Sequence, residues 1–223
     1  MDIEAKAVRR APRRALPFAL AVLILAGCAM SKPAKFYQLD PLQISAPIAP
    51  EAAREDRLVV ALGPVSLPDY LERPQIVTRA GRNELTISEF ERWAGSLEGD
   101  VARVLVEDLS GALTDDGVSV VRYTPHRGGQ APPSCRVEVH VEQFEGTFGD
   151  SVVLKAQWQV FAGIDPVLRR RESLIRQEID GSSYAALAVA MSRAIERLSQ
   201  DIGEEVRSAC AQEEPARAAA AGP

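Results

Sequence analysis

The chain has 223 residues, with 31 acidic and 26 basic side chains and a formal net charge of −5 at neutral pH. That acidic balance, with no basic stripe, argues against a nucleic acid as partner. Three cysteines and two histidines leave little material for a metal cluster, and the length suits one domain plus tails.

At the N-terminus Arg9, Arg10, Arg13 and Arg14 precede an uncharged apolar stretch of 12 residues, Leu16 to Gly27. A stretch of this length falls inside the roughly 7–15 residues of a signal-peptide core and short of the ~20 that a spanning helix needs. It ends in Leu25-Ala26-Gly27-Cys28, which resembles the lipobox of bacterial lipoproteins. The expectation is cleavage after residue 27 and lipidation of Cys28; an ordinary secretory signal with a chance cysteine is the alternative. With two or three acyl chains on Cys28 the mature protein stays on its membrane, since each buried methylene contributes about 0.8 kcal/mol. Ala29, in place of an aspartate, resembles the sorting pattern that sends lipoproteins to the outer membrane.

The expected layout is therefore a signal peptide over 1–27 and a lipidated tether with one short strand over 28–57. A folded domain over 58–211 and a disordered alanine-rich tail over 212–223 complete it. The tether carries Phe36-Tyr37-Gln38-Leu39 as its strand, followed by Pro41, Pro47 and Pro50. Strand signals then fall at 58–62, 75–78 and 84–87. Ser96 is a candidate N-cap, with Glu98 and Asp100 in the first turn, and Leu97, Val101, Val104, Leu105, Leu109, Ala112 and Leu113 share one helical side. Asp115-Asp116-Gly117 reads as the turn that ends this helix, before a strand at 118–123.

Val137, Val139 and Val141 alternate with polar residues, as do Val152, Leu154, Ala156, Trp158 and Val160 against a mostly polar set. Both read as half-buried antiparallel strands, joined through the glycine-containing segment 145–150. A further strand is expected at 168–179. Arg169, Arg170 and Arg171 within it read as a solvated face or sheet edge. After Asp180-Gly181-Ser182-Ser183, a stripe of Tyr184, Leu187, Ala188, Met191, Ile195, Leu198, Ile202 and Val206 marks a second helix facing the core. The fold class this order implies is α+β, a mainly antiparallel sheet with two amphipathic helices packed on it.

The residues offer no catalytic constellation, no cofactor motif and no metal site. His126 and His140 stand outside any ligand spacing, and no nucleophile elbow, phosphate loop or dinucleotide fingerprint occurs. Glu107 and Asp108 are neighbours on a helix and so do not face each other. The candidate partner surface is Leu67, Tyr70, Leu71 and Trp93, from loop-forming stretches ahead of the first helix, because aromatic side chains dominate binding hot spots. The competing reading has Tyr70, Phe90 and Trp93 folded back over the core as a staple.

Cys135 and Cys210 are the two cysteines left once Cys28 is lipidated, and the periplasm is oxidising. With Cys135 at the bottom of the sheet, three antiparallel strands lead up, down and up, so the last helix starts at the top. A helix of about 26 residues descends about 39 Å, close to the height of a strand of about 11 residues. Cys210 should therefore arrive near Cys135, and a disulfide is expected; two free thiols are the alternative.

Three stretches carry a family resemblance: Gly63-Pro64-Val65-Ser66-Leu67-Pro68-Asp69-Tyr70-Leu71-Glu72-Arg73-Pro74-Gln75-Ile76-Val77-Thr78-Arg79, Phe90-Glu91-Arg92-Trp93-Ala94-Gly95-Ser96-Leu97 and Arg103-Val104-Leu105-Val106-Glu107-Asp108-Leu109-Ser110. The chain resembles the PqiC/YmbA family of ABC-type transport auxiliary lipoproteins over nearly all of its mature length. The resemblance implies a non-enzymatic subunit, anchored at the periplasmic face of the outer membrane, of an MCE-type system that moves lipids across the envelope and maintains membrane integrity. Its partners would be a periplasmic MCE-domain protein and the inner-membrane transporter, with a transported lipid and a second copy of the chain left open. A general envelope-integrity or outer-membrane assembly lipoprotein and a lipid-anchored hydrolase remain as other readings.

Overall fold

The computed structural model describes residues 32–42, 58–123, 133–162 and 167–220, with side chains up to residue 210. The chain divides into residues 1–34 and 35–223, and the second unit carries the elements below. The signal segment, Cys28, residues 43–57 and His126 lie outside the described residues. In chain order the elements are β1 (Lys35–Tyr37), β2 (Leu58–Ser66), β3 (Gln75–Gly81), β4 (Glu84–Trp93), α1 (Leu97–Ala112), β5 (Val118–Arg122), β6 (Cys135–Gly146), β7 (Ser151–Ala162), β8 (Val167–Glu178) and α2 (Tyr184–Ala220).

β6, β7 and β8 form an antiparallel meander whose register sets Val137 opposite Val160, Val139 opposite Trp158 and Val141 opposite Ala156. The apolar alternation of the two strands thus coincides on one face, and α2 covers it with Leu187, Met191, Ile195, Leu198, Ile202 and Val206, all buried. Each such side chain contributes about 1.5–3 kcal/mol through removal from water. Gly146 ends β6 where a Cβ would force the side-chain ends of Leu187 and Ile179 to shift, so glycine eases the close approach of the start of α2 to the sheet. α1 begins at Ser96, whose Oγ accepts the Gly99 N–H at 3.0 Å, and packs against α2, β2 and β5.

The α+β class, the two helices on a sheet and the antiparallel majority of residue pairings stand, and among the described residues the eight strands form a sheet that is mixed and not purely antiparallel. β2 lies between β5 and β6 and is parallel to both, β1 is parallel to β4, and β3 meets the end of β6 in parallel. Only β3–β4, β6–β7 and β7–β8 are antiparallel. The physical reason lies in the connections: α1 carries the chain from β4 back to β5, and parallel neighbours require such a crossover. Val60, Ala61 and Leu62 are buried in succession, the mark of a strand covered on both faces. A register shift follows at Gly63, whose φ of 126° is one that residues with a side chain rarely adopt.

Several boundaries also differ from expectation, with β2 reaching Ser66 and β3 reaching Gly81. β4 extends to Trp93, so the stretch from Phe90 to Trp93 is strand and not loop. α2 continues to Ala220, beyond residue 211 and past Pro215, where a disordered tail is expected from residue 212. Among the described residues no helix is long and apolar enough to cross a membrane.

Candidate functional site

The segment from Leu67 to Pro74 connects β2 to β3 and turns over the domain's surface. Pro68 enters it extended, and N–H groups of Leu71, Glu72 and Arg73 close on the carbonyls of Pro68, Asp69 and Leu71 at 2.9, 3.1 and 2.8 Å, forming one turn of 3-10 helix over Asp69–Leu71. The Trp93 N–H then donates to the Pro74 carbonyl at 2.7 Å, which ties the end of the loop to the end of β4. A cleft of about 410 Å³ opens between this loop and the start of α1, with Leu67, Leu71 and Leu97 among its lining and Glu72, Arg73 and Glu98 beside them.

Of the four residues expected at a partner surface, Leu67, Leu71 and Trp93 are buried. Trp93 belongs to the core at the end of β4, because strand extension turns its indole inward. Tyr70 is half-buried, and its hydroxyl donates to Glu145 Oε2 at 2.6 Å. The loop therefore brings Leu67 and Leu71 together at the cleft, latches Tyr70 to β6 and leaves Trp93 out.

Glu145 is the anchor of that latch. It is 1% exposed, and its carboxylate also accepts from Arg79 Nε at 2.7 Å, Gln143 Nε2 at 2.8 Å and the Phe144 N–H at 3.2 Å. A buried carboxylate costs little only when each oxygen is satisfied in this way. Burial first, and then donation to Glu145, raise the Tyr70 hydroxyl well above its ordinary value and hold it neutral. The sequence placed Glu145 in a hairpin connection over 145–150; β6 running two residues into that segment puts it on the strand.

A second polar set fastens residues 35–42 as a strap. Tyr37 donates to Glu91 Oε2 at 2.6 Å, and its hydroxyl is pushed up to about 12 by burial and by that bond. The strap then crosses both helices. Leu39 is fully buried, its carbonyl accepts from Arg103 Nη2 at 2.5 Å, and Gln38 Nε2 donates to Asp100 Oδ1 at 3.3 Å. The Asp40 N–H donates to Ser192 Oγ on α2 at 3.1 Å, and the Leu42 N–H to Asp108 Oδ1 on α1 at 3.0 Å. Asp100 and Asp108 stand four residues either side of Val104 and so share its buried face. Carboxylates inside an apolar stripe were the signal that this face receives polar donors, a side-chain amide at Asp100 and a backbone N–H at Asp108.

The structure brings one serine and histidine together: Ser66 Oγ lies 2.8 Å from His140 Nδ1. They are register partners on β2 and β6, His140 is exposed, and neither lines the cleft under the Leu67–Pro74 loop. A nucleophile with its base needs a pocket and oxyanion donors around the reacting atom, and a cross-strand hydrogen bond accounts for this pair. Among the described residues no group of three or more histidine, cysteine or acidic side chains is placed to hold a metal. Cys135, the first residue of β6, and Cys210 on α2 form a disulfide with their Cα atoms 6.2 Å apart. Arg169 and Arg171 on the edge strand β8 both meet Glu205 of α2, at 3.0 Å each.

The fold recurs in solved structures. A crystal structure of an uncharacterized protein matches with a TM-score of 0.63 at 20% identity, covering 78% of this chain and 99% of the other. Protein XCC0632 from Xanthomonas campestris matches with a TM-score of 0.62 at 17% identity, covering 82% and 99%. Among curated proteins none matches the chain in sequence. The family model for the ABC-type transport auxiliary lipoprotein component matches residues 37–203, from the strap to the middle of α2, and the chain belongs to that family.

Proposed function

We propose that this protein is a non-enzymatic auxiliary subunit of an MCE-type transport system, anchored through Cys28 at the periplasmic face of the outer membrane, where it helps move lipids between membranes. The observation that carries the reading is the family match from 37 to 203, which takes in every element from β2 to β8 and joins them to the strap. A docking subunit needs an anchor, a rigid frame and a surface for its partner. The strap supplies a firm attachment for the anchored end, since its backbone is bonded to both helices. The cleft between the Leu67–Pro74 loop and the start of α1 supplies the surface, with apolar side chains at its floor and charges on its rim as in a binding patch.

The partner is a periplasmic MCE-domain protein, and through it an inner-membrane ABC transporter that supplies the energy. Crosslinking in intact cells followed by affinity purification should recover both with the wild-type chain. In parallel, Cys28→Ser should move the protein to the soluble fraction or leave uncleaved precursor in the inner membrane. Purification without any MCE-domain protein would overturn the transport reading. Normal processing and membrane association of the Cys28→Ser protein would overturn the anchor.

A further inference from the structure

Few large apolar side chains are exposed on the described surface, and three of them gather at one place. Phe36 is 65% exposed, Val189 48% and Leu42 41%, and all three line a second cleft of about 450 Å³ between the strap and the first turns of α2, with Ala185 and Ala188 beside them. Their exposure is not a failure of the strap to fold: Tyr37, between Phe36 and the buried Leu39, is held by Glu91, and the backbone on either side of Pro41 is bonded to α1 and α2. The strap thus holds Phe36 and Leu42 outward.

We infer that this patch rests on the lipid bilayer in which the protein is anchored. The inference deepens the proposed function and rests on lipidation of Cys28. Cys28 precedes Phe36 by eight residues, so the tether allows at most about 29 Å between the lipidated sulfur's residue and the patch. A patch of three side chains is too small to hold a free protein partner, for which stable interfaces bury on the order of 1,200 Å² or more. It is large enough for a surface already held within a tether's length, because tethering turns the contact into an intramolecular one. Aromatic and aliphatic side chains suit the boundary between headgroups and acyl chains; Asp40 is the one charged side chain lining the cleft with them, and the neighbouring Lys35 ammonium lies 3.9 Å from Glu91. The domain would then stand on its membrane by the strap and the start of α2 and not swing freely.

The test uses the processed full-length lipoprotein in vesicles of phosphatidylethanolamine and phosphatidylglycerol. An environment-sensitive fluorophore is attached at Val189→Cys, at Leu42→Cys and, as a control, at Gln200→Cys, which is exposed further along α2. In protein that floats with the vesicles, the probes at 189 and 42 should shift to the blue and be quenched several-fold more by lipid-borne quenchers than the probe at 200. Phe36→Ser should reduce the quenching at 189 while leaving flotation unchanged. Equal quenching at all three positions in floated protein overturns the docking and leaves the anchor standing, as does protection of residue 189 that appears only when the protein-to-lipid ratio is raised, which would assign the patch to a second copy. Failure to float overturns the anchor reading and the docking with it.

Discussion

In the β6–β7–β8 meander and α2, one apolar side chain after another is buried at the period of its element, from Val137 to Val160 on the strands and from Leu187 to Val206 on the helix. In the strap and the Leu67–Pro74 loop, Leu39, Leu67 and Leu71 are buried but the geometry is set by single polar contacts: Tyr37 to Glu91, Tyr70 to Glu145, and backbone N–H groups to Ser192 and Asp108. Apolar burial is additive and tolerant of small changes, whereas a hydrogen bond either has its partner or leaves a buried group unsatisfied. Each of the two clefts has the second region as one wall, and the anchored chain enters through that region. A fold can thus carry its binding surfaces on segments that open at lower cost than its core.

Truncating the first region should have the largest effect. Phe144 on β6 is fully buried, and Phe144→Ala removes a ring from a close-packed face, a change that typically costs about 3–5 kcal/mol. Urea denaturation should show the whole domain unfolding at a lower midpoint with an unchanged slope. A loss under about 1 kcal/mol would mean that this face is not the domain's main source of stability.

The disulfide tests whether the first region is also held covalently. Cys135 and Cys210 are 75 residues apart, and closing a loop of that length restricts the unfolded chain by roughly 4 kcal/mol on the entropy model. Thiol titration of the denatured, non-reduced mature domain should find no free cysteine and a mass two hydrogens below the reduced form. Two reactive thiols would remove the bridge, and the paired Cys→Ser variant would then match the wild type in stability.

The first region was the more legible one, for a physical reason. Periodic burial repeats over many residues, so Val137 to Val141, Val152 to Val160 and the stripe from Leu187 to Val206 announced their elements. The direction in which strands pair has no such signature. β2 read only as a short strand, although its unbroken Val59-Val60-Ala61-Leu62 run is what burial on both faces produces. In the second region a single neighbour decides each role. Trp93 could lie outside or inside until β4 was seen to extend to it, Glu145 gave no hint of the four groups that converge on it, and Ser66 and His140 are 74 residues apart.

Glu145→Gln should loosen the second region while sparing the first. The exchange removes charge-assisted bonds to Arg79 and Tyr70, contacts of a kind worth about 1.5–3 kcal/mol each, and the amide can replace them only in part. We expect a loss of about 2 kcal/mol, with faster amide exchange in the Leu67–Pro74 loop than in β7. High pH should act on the same region. Tyr37 ionises near 10 when unfolded and at about 12 when folded, so its contribution is whole below pH 10 and is lost as pH rises through 12. Tyr70, raised in the same direction, adds to this loss. Tyr37→Phe and Tyr70→Phe should each flatten the decline in stability above about pH 10, and an unchanged decline in both would mean that these hydroxyls are not buried donors.

The smallest effect expected is also the most discriminating, because it separates the strap from the helix that holds it. Ser192 Oγ donates to the Ala188 carbonyl at 3.1 Å while accepting the Asp40 N–H. Its first bond stays within α2, so Ser192→Ala leaves that carbonyl with its ordinary helical partner, and alanine is the better helix former by a few tenths of a kcal/mol. The second bond has no such substitute. The Asp40 amide, next to the fully buried Leu39, would lose its acceptor at a net cost of about 1 kcal/mol. Global stability should therefore change by less than about 0.5 kcal/mol, inside the range of neutral substitutions. Hydrogen exchange at Asp40 should rise roughly fivefold, the equivalent of that 1 kcal/mol, while amides of β7 keep their protection. Equal changes at Asp40 and in β7 would show that the strap opens only with the whole domain. The two regions would then be one cooperative unit, and the distinction between them would be one of chemistry and not of stability.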